Sequence, residues 1–228
     1  MRILQRIGIA LAVFVALVVI GGFFVPSSWQ VEESVEVAAA PVDILPLVET
    51  PRRWEEWAAW TKARYPDMES EYAGPERGAG AIWRWRGRSS GNGTLEITKS
   101  DPASGIDYVL TFEGFSPTPG GLRFETVPVG TRVVWWMKGD VGNNPLARYF
   151  SLLMEPMMGK DLRAGLGKLK AVAEAAAARR QKEERAAEAA RAAKAHADVT
   201  AAGDGASGAD GEPNGETDGA SEEAAATP

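Results

Sequence analysis

Between two glycines the sequence reads Gly80-Ala-Ile-Trp-Arg-Trp-Arg-Gly87, in which tryptophan and arginine alternate. Successive side chains of a β-strand point to opposite faces of the sheet, so this pattern predicts a strand with one dry face and one solvated face. Five further runs bounded by turn residues show the same alternation. They predict an antiparallel meander over residues 68–72, 80–87, 93–100, 106–115, 121–127 and 131–139.

A strand and two short helices are predicted before this meander. Alternating apolar residues from Trp29 to Val37 indicate the strand, and Pro41 suits the first turn of a helix over residues 41–49. Trp54, Trp57 and Trp60 follow at three-residue steps, which predicts a second short helix with the three rings near one stripe.

The segment from residue 144 to 173 has apolar residues at three- and four-residue steps, which predicts a long helix packed on the dry face of the sheet. Its predicted packing residues are Leu146, Tyr149, Phe150, Leu153, Met157, Leu162, Leu166 and Leu169. Pro156 is expected to kink or split this helix near Leu153. Residues 175–198 predict a solvated, Ala-rich charged helix, and residues 199–228 an acidic, disordered tail.

Residues 7–25 contain no charged side chain and are long enough, as a helix, to cross a bilayer. We therefore expect residues 1–27 to form an N-terminal transmembrane anchor, with a cleaved signal peptide as the alternative. Arg2 and Arg6 precede this segment and Glu32 follows it. The positive-inside rule then predicts a single-pass protein of the plasma (inner) membrane, with its globular domain on the outer or periplasmic side.

The composition excludes several classes of chemistry. The net charge of -6 reflects the tail, since residues 199–228 hold seven carboxylates and no Lys or Arg, so the remaining chain lacks the basic surface of a nucleic-acid-binding protein. There is no cysteine, and the one histidine, His196, lies in the charged helix. We expect no metal, no cofactor and no catalytic triad. Tyr108 is the best candidate for a catalytic group, and its alternative role is a buried core tyrosine.

Several motifs occur in an order that resembles a known superfamily. They are Pro41-Val-Asp-Ile-Leu-Pro-Leu-Val48, Arg53-Trp-x-x-Trp57-x-x-Trp60, Tyr72-Ala-Gly74 with Gly78-Ala-Gly80, Trp83-x-Trp85-x-Gly87, Gly130-Thr-x-Val-x-Trp135-x-Met-x-Gly139 and Met158-Gly-Lys-Asp-Leu-x-x-Gly165-Leu-x-x-Leu169-Lys170. Over residues 28–174 the chain resembles the polyketide cyclase/dehydrase-like branch of the SRPBCC superfamily, related in fold to START lipid-transfer domains and the birch pollen allergen. The resemblance implies an α+β helix-grip fold. In that fold a curved seven-stranded antiparallel sheet wraps around a long C-terminal helix, and two short helices follow the first strand.

The resemblance also implies an internal cavity for an apolar ligand. Its predicted lining is Trp57, Trp60, Trp83, Trp85, Tyr108, Phe112, Phe124, Trp135, Met137, Met154 and Met158, and ordinary core packing is the alternative for each. We expect a membrane-anchored domain that binds a lipid or other hydrophobic small molecule without catalysis. The alternatives are a cyclase or aromatase, and a structural or envelope interaction protein with a filled core, whose tail binds a protein partner.

Overall fold

The computed structural model describes residues 2–204. Its elements are α1 (Arg2–Gly22), β1 (Ser28–Val37), α2 (Pro41–Val48), a short 3-10 helix (Pro51–Glu56), β2 (Glu69–Ala73), β3 (Ile82–Arg86), β4 (Gly93–Asp101), β5 (Gly105–Phe112), β6 (Thr118–Val127), β7 (Gly130–Asp140) and α3 (Pro145–Asp204). Residues 205–228, most of the predicted acidic tail, lie outside the described residues.

The seven strands form one antiparallel sheet in the order β1-β7-β6-β5-β4-β3-β2. Only β1 leaves the order of a simple meander, because it pairs with the last strand, β7. This arrangement, with two short helical segments after β1 and a long C-terminal helix, confirms the predicted α+β helix-grip fold.

The alternation in β3 sorts side chains as predicted, since Trp83 and Trp85 are buried whereas Arg84 and Arg86 are not.

The predicted helix through the three tryptophans is shorter than expected and ends at Glu56. Its first two rings are still anchored. The indole of Trp54 donates to the Val48 carbonyl at 2.8 Å, and that of Trp57 donates to the Leu47 carbonyl at 3.0 Å.

The inner face of α3 differs from the predicted one in its first turns. Leu162, Leu166 and Leu169 are buried as expected, but Leu146, Phe150, Leu153 and Met157 are exposed. The stripe that faces the core begins instead with Ser151, Met154 and Met158. Two apolar stripes with nearly the same spacing run along this part of the helix, and only the tertiary packing selects between them. The helix is continuous through Pro156, so the predicted split is wrong.

Residues 1–180 and residues 181–228 form two compact units. In the second unit residues 181–204 are helical, and residues 181–196 are exposed throughout.

The first unit contains a bidentate ion pair between α2 and α3. Arg180 Nε and Nη2 donate to the carboxylate of Asp43 at 2.7 and 2.9 Å, and the Asp43 side chain is only 4% exposed. The hydrogen bonds from Arg180 hold the pKa of Asp43 below its usual value.

We expect Arg180→Met to lower the free energy of unfolding at neutral pH by about 2 kcal/mol, because it leaves a buried carboxylate without this charged donor. Since the pKa of Asp43 is lowered in the folded protein, the contribution of the pair is complete above the unfolded pKa of about 4 and is lost as pH falls through the folded value. Urea unfolding of the full chain in detergent at several pH values measures both effects.

The matched control is Arg53→Met, which breaks the Arg53–Glu56 pair of the 3-10 helix. Both partners are more than a third exposed, so we expect a change within about 0.5 kcal/mol. Equal losses in the two variants, or an Arg180→Met loss that persists at acid pH, would contradict the proposed role of the buried pair.

Candidate functional site

The dry face of the sheet and the 3-10 helix enclose a small space that we call the aromatic compartment. It is lined by Trp54, Trp60, Trp83, Trp85, Leu95, Tyr108, Leu110, Phe112, Trp135 and Met137. Alternate residues of β3, β4, β5 and β7 supply most of these side chains, because strand alternation turns them all to one face.

Trp135 lies at the centre of the aromatic packing. Its ring meets those of Trp57, Trp54 and Trp60 edge to face, at centroid distances of 5.2, 6.0 and 6.5 Å. Its indole Nε1 donates a hydrogen bond to the Tyr108 hydroxyl at 2.8 Å. Edge-to-face contacts add stability beyond burial, so these rings form a rigid wall of the compartment.

The compartment itself is narrow. Its cavity volume is about 20 Å³, close to the space that one water molecule needs. A larger guest therefore requires that side chains of the lining move. Met137 has a flexible side chain, and Phe112 is half-buried, so these two side chains have the greatest freedom to do so.

One polar group of the compartment has no partner. Trp85 is 3% exposed, and among the described residues nothing accepts a hydrogen bond from its indole N–H. The indoles of Trp54, Trp57, Trp83 and Trp135 all have acceptors. An unsatisfied buried donor lowers stability by about 1–3 kcal/mol. Trp85 is therefore the buried side chain of the lining with an unused hydrogen-bond donor.

The lining offers little for proton transfer. Tyr108 is its only ionisable side chain, and burial raises the pKa of this phenol far above its usual value. It accepts the hydrogen bond from Trp135 and behaves as a core tyrosine. Within residues 2–204 no group of three or more His, Asp or Glu residues is placed to hold a metal ion.

Seven of the eleven predicted lining residues come together in the compartment: Trp60, Trp83, Trp85, Tyr108, Phe112, Trp135 and Met137. Trp57 is completely buried outside the lining, Phe124 belongs to the core, and Met158 packs against the core. Sequence reasoning missed Trp54, Leu95 and Leu110. The two leucines share the strand parity of the predicted residues, so this parity was a usable signal. Ligand binding by any of these residues stays a prediction.

Met154 lines a second, much larger depression that we call the end groove. It has a volume of about 1160 Å³ and lies between the ends of β1 and β7, the β5–β6 loop and the start of α3. Its lining includes Trp29, Phe115, Phe150 and Met154 with the charged residues Lys138 and Asp140. Met154 also packs against the core, and Met137 of the compartment immediately precedes Lys138 of the groove.

Helix α1 is separate from both cavities. Residues 3–22 are long and apolar enough to cross a membrane, and most of this segment is exposed, with only Gly22 at its end buried. A signal sequence has the same properties. The helix ends at Gly22, three residues before the predicted end of the apolar span.

The fold agrees with the family comparison. The model of the family described as "Polyketide cyclase / dehydrase and lipid transport" matches residues 28–174. The chain belongs to this family. The polyketide cyclase/dehydrase family domain thus spans β1 to the middle of α3, and α1 and residues 175–228 lie outside it. No curated protein matches the sequence.

Solved structures similar to the polyketide cyclase/dehydrase family domain include a protein of unknown function from Staphylococcus aureus. It is 13% identical with a TM-score of 0.52, and the match covers 65% of this chain and 94% of that protein. A Rhodobacter sphaeroides protein is 17% identical with a TM-score of 0.46, covering 64% and 93%. The di-domain ARO/CYC protein BexL from the BE-7585A biosynthetic pathway is 18% identical with a TM-score of 0.46, covering 65% and 50%. At 13% identity the likeness to the Staphylococcus aureus protein shows the fold alone.

Proposed function

We propose that this protein is a membrane-anchored, non-catalytic domain that binds a lipid or other apolar small molecule carrying a hydrogen-bond acceptor. The observation that carries the proposal is the buried, unpartnered indole N–H of Trp85 in an apolar aromatic lining. Small-ligand sites combine apolar walls with a few placed polar groups, and this compartment has that composition.

A water molecule is a poor substitute for such a guest. Buried waters make about three hydrogen bonds. The polar side-chain groups of the lining are the indoles of its five tryptophans and the Tyr108 hydroxyl, and the indoles of Trp54 and Trp83 already donate to protein acceptors. The Trp135 indole and the Tyr108 hydroxyl already bond to each other. An apolar molecule with one carbonyl or hydroxyl oxygen satisfies Trp85 and also fills the apolar surroundings, which a water does not.

The end groove supplies the access route. Met154 borders it and packs on the core, and Phe115 and Phe150 give it apolar walls. Methionine side chains repack at low energy, so displacement of Met154 and Met137 would join the groove to the aromatic compartment. The bulk of the ligand then lies in the groove, and only its acceptor-bearing end enters the compartment.

Anchoring by α1 and the location of the domain are also part of the proposal. The length of α1, its exposed apolar surface and the arginines Arg2 and Arg6 before its apolar core support insertion with the N-terminus in the cytoplasm. The domain then lies at the outer or periplasmic face of the plasma membrane. The absence of charged side chains from the compartment lining favours binding over catalysis of the cyclase type.

A second candidate is a structural interaction protein with a filled core, and the compartment volume of about 20 Å³ favours it. In that case contacts with a partner involve residues 181–228, the second compact unit. Truncation after Arg180 keeps the Asp43–Arg180 pair. A purified partner that binds the full chain and not the truncated chain would support this candidate.

The proposed function predicts that the full chain, purified from its own membranes in mild detergent, retains an apolar molecule at a ratio near one to one. Trp85→Phe keeps an aromatic ring and removes the donor, so we expect about tenfold weaker retention, equivalent to about 1.4 kcal/mol for one hydrogen bond. Native mass spectrometry followed by organic extraction measures the retained amount and identifies the molecule.

The chain contains a matched control for this variant. Trp136, on the opposite face of β7, also has a buried indole N–H without an acceptor among the described residues. Trp136→Phe removes the same atom from a position outside the compartment, and retention should not change. An empty wild-type protein, or equal losses in the two variants, would refute the proposed binding role of the compartment.

A further inference from the structure

The first turns of α3 expose an apolar surface to solvent. Leu146, Phe150, Leu153 and Met157, spaced four, three and four residues apart, form one stripe that we call the outer apolar face. Leu146 is 57%, Leu153 51% and Met157 54% exposed. Contiguous exposed apolar surface of this kind marks an interaction site on a soluble domain.

This exposure is confined to one part of the helix. Beyond Met157 no large apolar side chain is exposed through residue 196, and the solvent side of α3 has charged residues such as Lys160, Arg163 and Lys168. In residues 145–158 the only charged side chains are Arg148 and Glu155. Within residues 145–196, exposed large apolar side chains are thus confined to the first turns of α3.

The turns of α3 that carry the outer apolar face also contact the end of α1, through hydrogen bonds from residues outside that face. The Tyr149 hydroxyl donates to the Val18 carbonyl at 2.9 Å, and Arg148 Nη1 donates to the Phe23 carbonyl at 2.9 Å. Ser151 donates to the Pro26 carbonyl at 2.8 Å. The backbones are equally close, because a Cβ on Gly22 would lie 2.2 Å from the Pro145 carbonyl oxygen.

These contacts determine the depth of α3 relative to α1. Val18 is four residues before the end of α1, which is about 6 Å along a helix axis. If α1 crosses a bilayer, the first turn of α3 therefore lies at the level where the apolar core meets the headgroups. Tyrosine and arginine are common at that level, and here their polar ends are satisfied by the carbonyls of Val18 and Phe23.

Two further segments add apolar side chains at the same end of the domain. Phe23 and Phe24 follow α1 and are exposed, and Phe115 in the β5–β6 loop is 68% exposed. Phe115 lines the end groove together with Phe150, so the groove opens at this end.

We propose that the outer apolar face of α3, with Phe115, lies in the interface of the bilayer that α1 enters, so that the end groove opens directly onto the lipid. The proposal rests on the proposed anchoring by α1, and it deepens the proposed function because it makes a membrane lipid the ligand source. This arrangement explains three observations together. The first turns of α3 expose apolar side chains, this exposure is restricted to the turns that contact α1, and the end groove opens at the same end of the domain.

The chain lacks cysteine, so single labelling positions are available without background. The full chain is reconstituted in phosphatidylcholine/phosphatidylglycerol vesicles with a polarity-sensitive fluorophore on Leu153→Cys or Met157→Cys. Lys168→Cys, on an exposed position further along α3, is the control, and Val13→Cys in α1 reports on anchoring. We expect nitroxide-labelled lipids to quench most of the emission at positions 13, 153 and 157, and an aqueous quencher to act only at position 168.

Lipid quenching at position 13 with aqueous quenching at both 153 and 157 would overturn this proposal and leave the anchoring intact. Aqueous quenching at position 13 would overturn the anchoring and this proposal together. Ligand retention, measured separately by native mass spectrometry, tests the compartment independently of both outcomes. Because positions 153 and 157 are exposed, neither substitution removes core contacts, and agreement between them excludes a local effect of one label.

Discussion

Replacing Trp135 by alanine is expected to lower the free energy of unfolding of the domain by about 3–5 kcal/mol. Trp135 is almost completely buried and its ring contacts Trp54, Trp57 and Trp60. The substitution removes these contacts and leaves a cavity that the strands of the sheet cannot close. Chemical denaturation of the full chain in detergent, followed by far-ultraviolet circular dichroism, measures the loss.

Two other variants separate the contributions to this loss. Trp135→Phe keeps an aromatic ring but removes the donor to the Tyr108 hydroxyl, so we expect an intermediate loss of about 1–3 kcal/mol. Trp136→Ala changes the neighbouring residue on the opposite face, where Arg123 and Lys138 lie 5.9 and 5.7 Å from the ring. A loss of only about 1 kcal/mol is expected there. A Trp136→Ala loss as large as that of Trp135→Ala would show that the compartment wall is not the centre of the core.

Replacing Gly105 by alanine is expected to destabilise the β4–β5 hairpin strongly, by about 4 kcal/mol or more. Gly105 has φ +96°, and a Cβ there would lie 2.0 Å from the Leu122 carbonyl oxygen of β6. The atom that clashes with this Cβ belongs to the backbone of the neighbouring strand. The clash is therefore relieved only if the pairing of β5 with β6 shifts. The same denaturation measurement detects this effect, and a change in the near-ultraviolet spectrum of the adjacent aromatic residues is expected to accompany it.

Gly91 in the β3–β4 turn separates backbone strain from crowding. It also has a positive φ, +69°, but nothing lies within 4 Å of an added Cβ. Gly91→Ala should therefore show only the left-handed backbone penalty of about 1–2 kcal/mol. If the two alanine variants were equally stable, the close approach of β5 and β6 at Gly105 would not matter for the fold.

Much of the fold could be predicted because each strand has its own local signal. In β3 the alternation of Trp83 and Trp85 with Arg84 and Arg86 determines which side chains face the core, and the structure has the same parity. The seven-stranded sheet, its antiparallel pairing and the family all follow from the sequence. The short helix at Trp54 was predicted too long, because the carbonyls of α2 bind the indoles of Trp54 and Trp57 and thereby position these rings without helical continuity.

The sequence predicts most of the residues that line the compartment, but it does not predict how closely they pack. Strand parity brings Tyr108, Phe112 and Met137 to the compartment, but parity contains no information about how closely the rings pack. The compartment is narrow because Trp54, Trp57 and Trp60 converge on Trp135 from outside the sheet. The unpartnered N–H of Trp85 is likewise a property of the packed core, since it depends on which acceptors lie around a buried ring.

By itself, the amino-acid sequence determined the helix-grip fold, the family and the apolar N-terminal helix, because strand alternation, turn residues and an uncharged apolar run are local patterns. Only the tertiary structure decided which stripe of α3 faces the core, how much space the aromatic rings leave, and that the first turns of α3 lie beside the end of α1. Each of these depends on contacts between segments that are far apart in the chain, such as Tyr149 with Val18 and Trp60 with Trp135. A local pattern permits several such contacts, and packing of the whole domain selects one.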